Sequence, residues 1–155
     1  MEQLLADVAA FRAAMGLPIG DKPRLPHQID HRLHVGLLQE ELDELNQAAQ
    51  SNDLVETFDG LLDLIYVACG TILDLGLGEL AQTGWNEVQR SNMSKTVTSE
   101  AEGVISQNGY YLKGITSELL PVGNRWVLRR SSDGKVLKPY TYSAPDLATI
   151  LPEPL

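Results

Sequence analysis

A chain of 155 residues, 43% hydrophobic and 21% charged, has room for one domain of ordinary size and resembles neither a collagen, a disordered chain nor a membrane protein. Its formal net charge of −9 argues against a broad nucleic-acid surface, because phosphate backbones are gripped mainly by clustered Lys and Arg. The lone cysteine, Cys69, excludes an internal disulfide and sits in an apolar run, which suits a reducing compartment.

Residues 2–15 place Leu4, Leu5, Val8, Phe11 and Met15 at helical spacing, predicting an amphipathic first helix closed by Gly16. Asp7 and Arg12 interrupt its apolar pattern and no basic stretch precedes it, so it does not read as a signal peptide. The longest apolar stretch, Leu61 to Leu77, is broken by Asp63 and Asp74 and is short of a membrane span. The expectation is a cytoplasmic protein with no membrane partner. Gly16 to Pro26, with Pro18, Pro23 and Gly20 between them, is predicted to be an irregular connection.

A second helix is expected from about His27 to Gln50. Ser51-Asn52-Asp53 forms a turn, and Asp53 with Glu56 three residues later predicts a capping box opening a third helix that runs to about Leu75. Between Leu61 and Leu73 that helix is apolar almost all round, as expected when other helices surround it. Gly76 and Gly78 close it, and a fourth helix follows from about Glu79 to Met93, with Leu80, Ala81, Trp85 and Val88 on one side. The predicted fold is all-α, a four-helix bundle over residues 1–95. Beyond Lys95 the helical period fades, and residues 96–155 read as an extension without independent domain status. Within it, Arg125 to Leu137 alternates around Ser131-Ser132-Asp133-Gly134 as a β-hairpin, and Tyr110 to Ile115 suggests a further strand. Pro139, Pro145, Pro152 and Pro154 predict an extended tail lying across the bundle or a partner subunit.

The chemistry concentrates on the two central helices. At about 100° per residue, Glu40, Glu41 and Glu44 share one side of the second helix with Leu33, Leu37 and Ala48, while Arg32, Gln39, Asp43 and Gln47 are expected to face solvent. On the third helix Glu56, Asp59 and Asp63 form a second stripe, continued by Tyr66 and Gly70. Packed together, the helices would bring six carboxylates into one cleft, and those six account for most of the chain's acid excess. A single Glu-x-x-Glu is ordinarily a solvated helix face. Two on consecutive helices, both among apolar positions, would leave six acids against a core unless something neutralises them. An all-oxygen set of this kind suits Mg²⁺ or Mn²⁺ better than zinc or copper.

These residues resemble the MazG-like, all-α nucleoside triphosphate pyrophosphohydrolases, relatives of phosphoribosyl-ATP pyrophosphohydrolase and the dimeric dUTPases. The resemblance rests on Glu41-Leu42-Asp43-Glu44, preceded by Glu40, and on Glu56-Thr57-Phe58-Asp59, with Asp63 one turn on. It extends through Asp63 to Val67, Glu87 to Lys95, Asp133 to Pro139 and Ala144 to Leu147, whereas about Thr96 to Ser131 is longer than the family pattern. It implies hydrolysis of a nucleoside triphosphate to the monophosphate and pyrophosphate in nucleotide-pool house-cleaning. It implies Mg²⁺, replaceable by Mn²⁺, on Glu40, Glu41, Glu44, Glu56 and Asp59, with Asp63 as a further ligand or a support behind the ligands. Glu40 and Glu41 are alternative general bases for the attacking water. Lys95, Arg90 and Asn92 resemble the phosphate-side residues, with Lys135 and Lys138 of the tail as contributors. Tyr66, Trp85 and Asn92 are candidates for the base pocket. The family pattern gives His27, His31 and His34 no ligand role, and without a Glu-x-x-His the di-iron carboxylate bundle lacks its required element. A homodimer or homotetramer is implied. The competing readings are a catalytically silent helical interaction protein of the same fold, a phosphoribosyl-ATP pyrophosphohydrolase, and a ferritin-like redox protein.

Overall fold

The computed structural model describes residues 1–25 and 28–152, with the side chains of all of these but 28–31. The chain forms two compact units, Met1–Thr83 with Ile150–Leu155, and Gly84–Thr149.

In the first unit α1 (Glu2–Ala14), α2 (Gln28–Gln50) and α3 (Leu54–Asp74) are followed by a 3₁₀ turn at Gly78–Leu80 and the start of α4 (Ala81–Met93). Leu5 and Val8 of α1 close on Cys69 and Leu73 of α3, and Met1, Ala9, Ile72 and Ala81 pack around them. Burying an aliphatic side chain of this size contributes about 1.5–3 kcal/mol, so these few residues anchor α1. Cys69 is buried and free, as the apolar run implied. The irregular connection docks on the end of α3 through backbone bonds from Gly20 to the Leu73 carbonyl (2.9 Å) and from Arg24 to that of Leu75 (3.0 Å). Gly76 makes this docking possible. It adopts φ +68°, and a Cβ there would lie 2.1 Å from the Lys22 carbonyl oxygen.

The α2–α3 corner departs from the sequence expectation in a way that matters to the site. Asp53 caps α3 by accepting from the backbone N–H groups of Val55 (3.0 Å) and Glu56 (3.1 Å). The reciprocal half of the box does not form, because the Asp53 N–H donates to the Ala48 carbonyl at 3.1 Å. The Glu56 carboxylate is thus left to the cleft. A second departure concerns burial. Leu33 (60% exposed) and Leu37 lie open on α2, and on α3 Phe58 (62% exposed), Leu54, Val55, Leu61, Leu62 and Ile65 are also exposed, so α3 is not surrounded within the single chain. Among the described residues no single helix is long and apolar enough to cross a membrane.

In the second unit, the remainder of α4 leads to β1 (Thr96–Val97), α5 (Glu100–Tyr111), β2 (Ser117–Val122) and β3 (Arg125–Arg130). The strands form one antiparallel sheet in the order β1-β3-β2, with Val97 opposite Trp126 and Leu119 opposite Leu128. Helix α5 packs on it so closely at Gly103 that a Cβ would meet the Leu119 side chain at 2.4 Å. The chain is mostly helical, but the extension corrects two expectations. Residues 100–111 form a helix, whose start is fixed by Ser99 accepting from the Glu102 N–H (3.3 Å) and Glu102 accepting from that of Thr98 (3.1 Å). Tyr110 and Tyr111 end that helix and form no strand. The hairpin turns at Gly123-Asn124, where Gly123 has φ +59°, and Ser131 to Gly134 instead leads into a single bridge between Arg129 and Val136.

Candidate active site

Helices α2 and α3 face each other across an open cleft of about 430 Å³ lined by Glu44, Gln47 and Ala48 from α2, Ser51 from the turn after it, and Glu56, Asp59, Gly60 and Asp63 from α3. Gly60 sets how closely the helices approach. A Cβ there would stand 3.2 Å from the Cα and Cβ of Leu45, tighter than ordinary contact.

Four of the six predicted acids line this cleft, and Glu41 shares their field. Its carboxyl is pushed above the usual range first by desolvation, then by the charges of Asp63, Glu44, Glu40 and Asp59. Glu40, Glu44, Glu56 and Asp59 are exposed and only Glu41 and Asp63 are half-buried, so the acid stripes border an open cleft and do not lie against a core as their apolar neighbours implied. Gln47, expected to face solvent, lines the cleft because a residue three positions after Glu44 stays within about 60° of it on a helix. Ser51 and Gly60 were not anticipated as lining residues. The signal available for both was position, one at the end of the α2 stripe and the other beside Asp59.

Among the described residues, none of these acids forms an ion pair with a Lys, Arg or His. Nor are three His, Cys, Asp or Glu side chains drawn closely enough together to hold one ion. The acids therefore share a negative field without a formed coordination shell. Their all-oxygen chemistry and lack of countercharge fit a hard divalent cation. His34 is engaged elsewhere. Its Nε2 lies 2.9 Å from Asp74, which also pairs with Arg12, tying α1, α2 and α3 together. His27 lies outside the described residues, as does the side chain of His31. Tyr66 packs edge-on against Phe11, with ring centroids 5.8 Å apart.

The phosphate-side candidates fall in the second unit, which carries eight of the chain's 12 basic residues and six of its 21 acids. The Lys95 ammonium donates to Asn92 at 2.7 Å. Arg90 is committed to Glu87 through two bonds of 2.7 Å and to the Ala144 carbonyl at 3.0 Å. Lys138 lies over the Tyr142 ring, its nitrogen 4.2 Å from the centroid. Both Lys138 and Lys95 act electrostatically on that phenol. Lys135 is instead placed at the turn, where its backbone N–H donates to Asp133 at 3.1 Å. Trp85 is exposed.

The acid-lined cleft between these two long helices lies within the segment whose family match places the chain in the MazG-like superfamily. The family model for phosphoribosyl-ATP pyrophosphohydrolase matches residues 8–92, more than half of the chain, and the chain belongs to that family. No curated protein matches it. Family membership supports a pyrophosphohydrolase-type activity on a nucleotide.

Proposed function

We propose that this chain hydrolyses a nucleoside triphosphate to the monophosphate and pyrophosphate in the presence of Mg²⁺ or Mn²⁺, with house-cleaning of the nucleotide pool as its role. The observation that carries the proposal is the cleft between α2 and α3, where clustered carboxylates have no basic partner among the described residues, within the segment that the family model spans. Glu41, Glu44, Glu56 and Asp59 would hold the cation, Glu40 would add a ligand or act as base, and Asp63 would support them. When bound, the ion supplies Lewis-acid neutralisation of phosphate oxygens. Glu40 or Glu41 would take the proton from a water attacking the α-phosphorus as the bond to the pyrophosphate oxygen breaks. Lys95 and Asn92 would meet phosphate oxygens, and Arg90 would act by holding the tail.

Phosphoribosyl-ATP is the second substrate reading, favoured by the family match itself, and it asks for cleavage of the same kind of anhydride. The exposed apolar rows on α2 and α3 support a homodimer or homotetramer in which a second copy covers them. Pyrophosphate release should be assayed across common nucleoside triphosphates, their deoxy forms and phosphoribosyl-ATP, with Mg²⁺ present. Release from at least one substrate, abolished in Glu41→Gln and Asp59→Asn variants that still fold, is the expected result. No release from any of them would sink the proposal.

A further inference from the structure

Helix α5 turns polar side chains inward and apolar ones outward. On its packed side Gly103 and Ser106 are buried. Ser106 Oγ donates to the Glu102 carbonyl (2.9 Å) and accepts from the Tyr140 N–H (3.1 Å), Gln107 donates to the Ser117 carbonyl (2.6 Å), and Tyr110 donates to the Lys138 carbonyl (2.9 Å). At about 100° per residue Ala101, Val104, Ile105, Asn108, Tyr111 and Leu112 fall within about 120° of arc on the opposite side. All six are exposed, Ile105 at 57%, Tyr111 at 72% and Leu112 at 85%. A helix that only shields a sheet would carry the reverse pattern. Val104 and Ile105 are also β-branched and lower helix propensity, so at these positions they gain nothing for the unit alone.

The outward row is graded in size and bounded by opposite charges. Ala101 and Val104 stand at its start, Tyr111 and Leu112 at its end, and no residue between Glu102 and Lys113 is charged. Glu100 and Lys113 flank the row, both exposed, and neither forms an ion pair among the described residues. The Lys113 ammonium lies 5.8 Å from the centroid of the Tyr110 ring. An antiparallel copy of the same helix, set so that Ala101 meets Leu112, brings Val104 level with Gly109 and Glu100 level with Lys113, each contact occurring twice. Large side chains then fall on small ones, the acid of each copy falls on the base of the other, and the helix dipoles run opposed. A parallel copy would set Tyr111 on Tyr111, Glu100 on Glu100 and Lys113 on Lys113.

We propose that α5 is an interface with a second copy of this chain, the two helices pairing antiparallel about a twofold axis. The surface lies beyond residues 8–92, is separate from the apolar rows of α2 and α3, and stands whether or not the cleft is hydrolytic. Val104, Ile105, Tyr111 and Leu112 together expose on the order of 500 Å², a size at which an apolar patch is often functional. That is less than the roughly 800 Å² per partner of a standard interface. The pairing is therefore weak, formed at about 100 µM chain and dissociated at about 1 µM.

Cysteine cross-linking of the full chain tests the pairing, with the native Cys69 buried. An Ala101→Cys/Leu112→Cys double variant, folded by circular dichroism and oxidised at about 100 µM, should give a covalent dimer on a non-reducing gel. Neither single variant should, because the two copies of one position lie about 16 Å apart along the antiparallel pair, beyond the roughly 7 Å reach of a disulfide. The same spacing forbids a bridge within one helix. Charge exchange supplies a readout that a merely apolar contact would not move. In the double-cysteine chain, Glu100→Lys and Lys113→Glu should each slow cross-linking about threefold, and mixing the two variants should restore it. Fraying of either helix would not be restored by mixing. Loss of hydrolysis with the cross-link intact removes only the catalytic proposal. No cross-link in the double variant would overturn self-pairing and leave the row to a different protein. Cross-links in both single variants, or no recovery on mixing, would overturn the antiparallel register even if hydrolysis were robust.

Discussion

Replacing Glu41 by Gln removes a carboxylate whose proton affinity is raised by desolvation and then by Asp63, Glu44, Glu40 and Asp59. All five influences act in one direction, so without metal the ionised group works against folding and the substitution should stabilise the chain. Glu41 is only half-buried, and solvent screening limits the gain to about 0.2–1 kcal/mol. In a chain of this size that is about 1–4 °C in Tm. A cation at a hundredfold excess over its Kd stabilises the wild type by about 2.7 kcal/mol, or about 5–10 °C. The variant should lose most of that shift. The sign of the mutational effect therefore inverts, with Glu41→Gln the more stable protein in EDTA and the less stable in Mn²⁺. The pH dependence has a definite sign as well. A folded pKa above the unfolded value of 4.5 makes the metal-free wild type more stable as pH falls through the raised pKa, with the gain complete below 4.5. Thermal denaturation followed by circular dichroism, with and without metal, reads all of this. A variant less stable than wild type in EDTA, or a wild type indifferent to Mg²⁺ and Mn²⁺, would refute the reasoning.

Gly60→Ala adds a methyl group 3.2 Å from Leu45 Cα, which must part the helices by a few tenths of an ångström. The helix-propensity gain of about 0.5–1 kcal/mol offsets much of the overpacking cost. Stability should thus change little while kcat/KM falls severalfold, as steady-state kinetics beside urea unfolding would reveal. Glu87, whose pKa is lowered to about 2 first by Arg90 and then by the Asp146 N–H, contributes stability that is complete above its unfolded value near 4.5 and lost as pH falls through about 2. Hydrogen exchange at the Asp146 amide should remain protected at pH 4 in the wild type and be fast in Glu87→Gln. Phe58→Asp places a charge on the exposed apolar row of α3 and should leave a single-chain species in light scattering, where the wild type is expected to be a dimer or tetramer.

What was legible in the sequence is what a helical period can encode. The bounds of α1 to α4, the cap at Asp53 and the acid stripes follow from apolar spacing and local chemistry. Burial did not follow, because the period shows that α3 has apolar faces without showing what covers them. Helix α5 escaped notice because Glu-Ala-Glu-Gly-Val-Ile-Ser-Gln-Asn-Gly-Tyr-Tyr has weak intrinsic propensity and depends on its cap and on packing against β2. Local chemistry does not place the hairpin, because Asp133-Gly134 and Gly123-Asn124 are equally good turns. Register was decided by the six-residue pairing of Ser117–Val122 with Arg125–Arg130, which puts Leu119 opposite the buried Leu128.

The first unit carries the carboxylate-lined cleft and the second unit an excess of bases, and that difference separates their proposed roles. Carboxylates such as Glu44 and Asp59 repel a phosphate and can approach one only through a cation, so a chelator should silence the cleft regardless of ionic strength. Lys95, proposed as a phosphate contact, would attract phosphate directly, so salt should weaken that contact through screening while EDTA leaves it intact. Neither treatment alone discriminates between the two proposed roles, because each is expected to lower turnover. Applied as a pair they do. EDTA should abolish turnover, and moderate salt should raise KM through weaker binding before it lowers kcat. If salt instead lowered kcat with KM unchanged, Lys95 would be acting in the transition state alone, and that contact would belong to the chemical step.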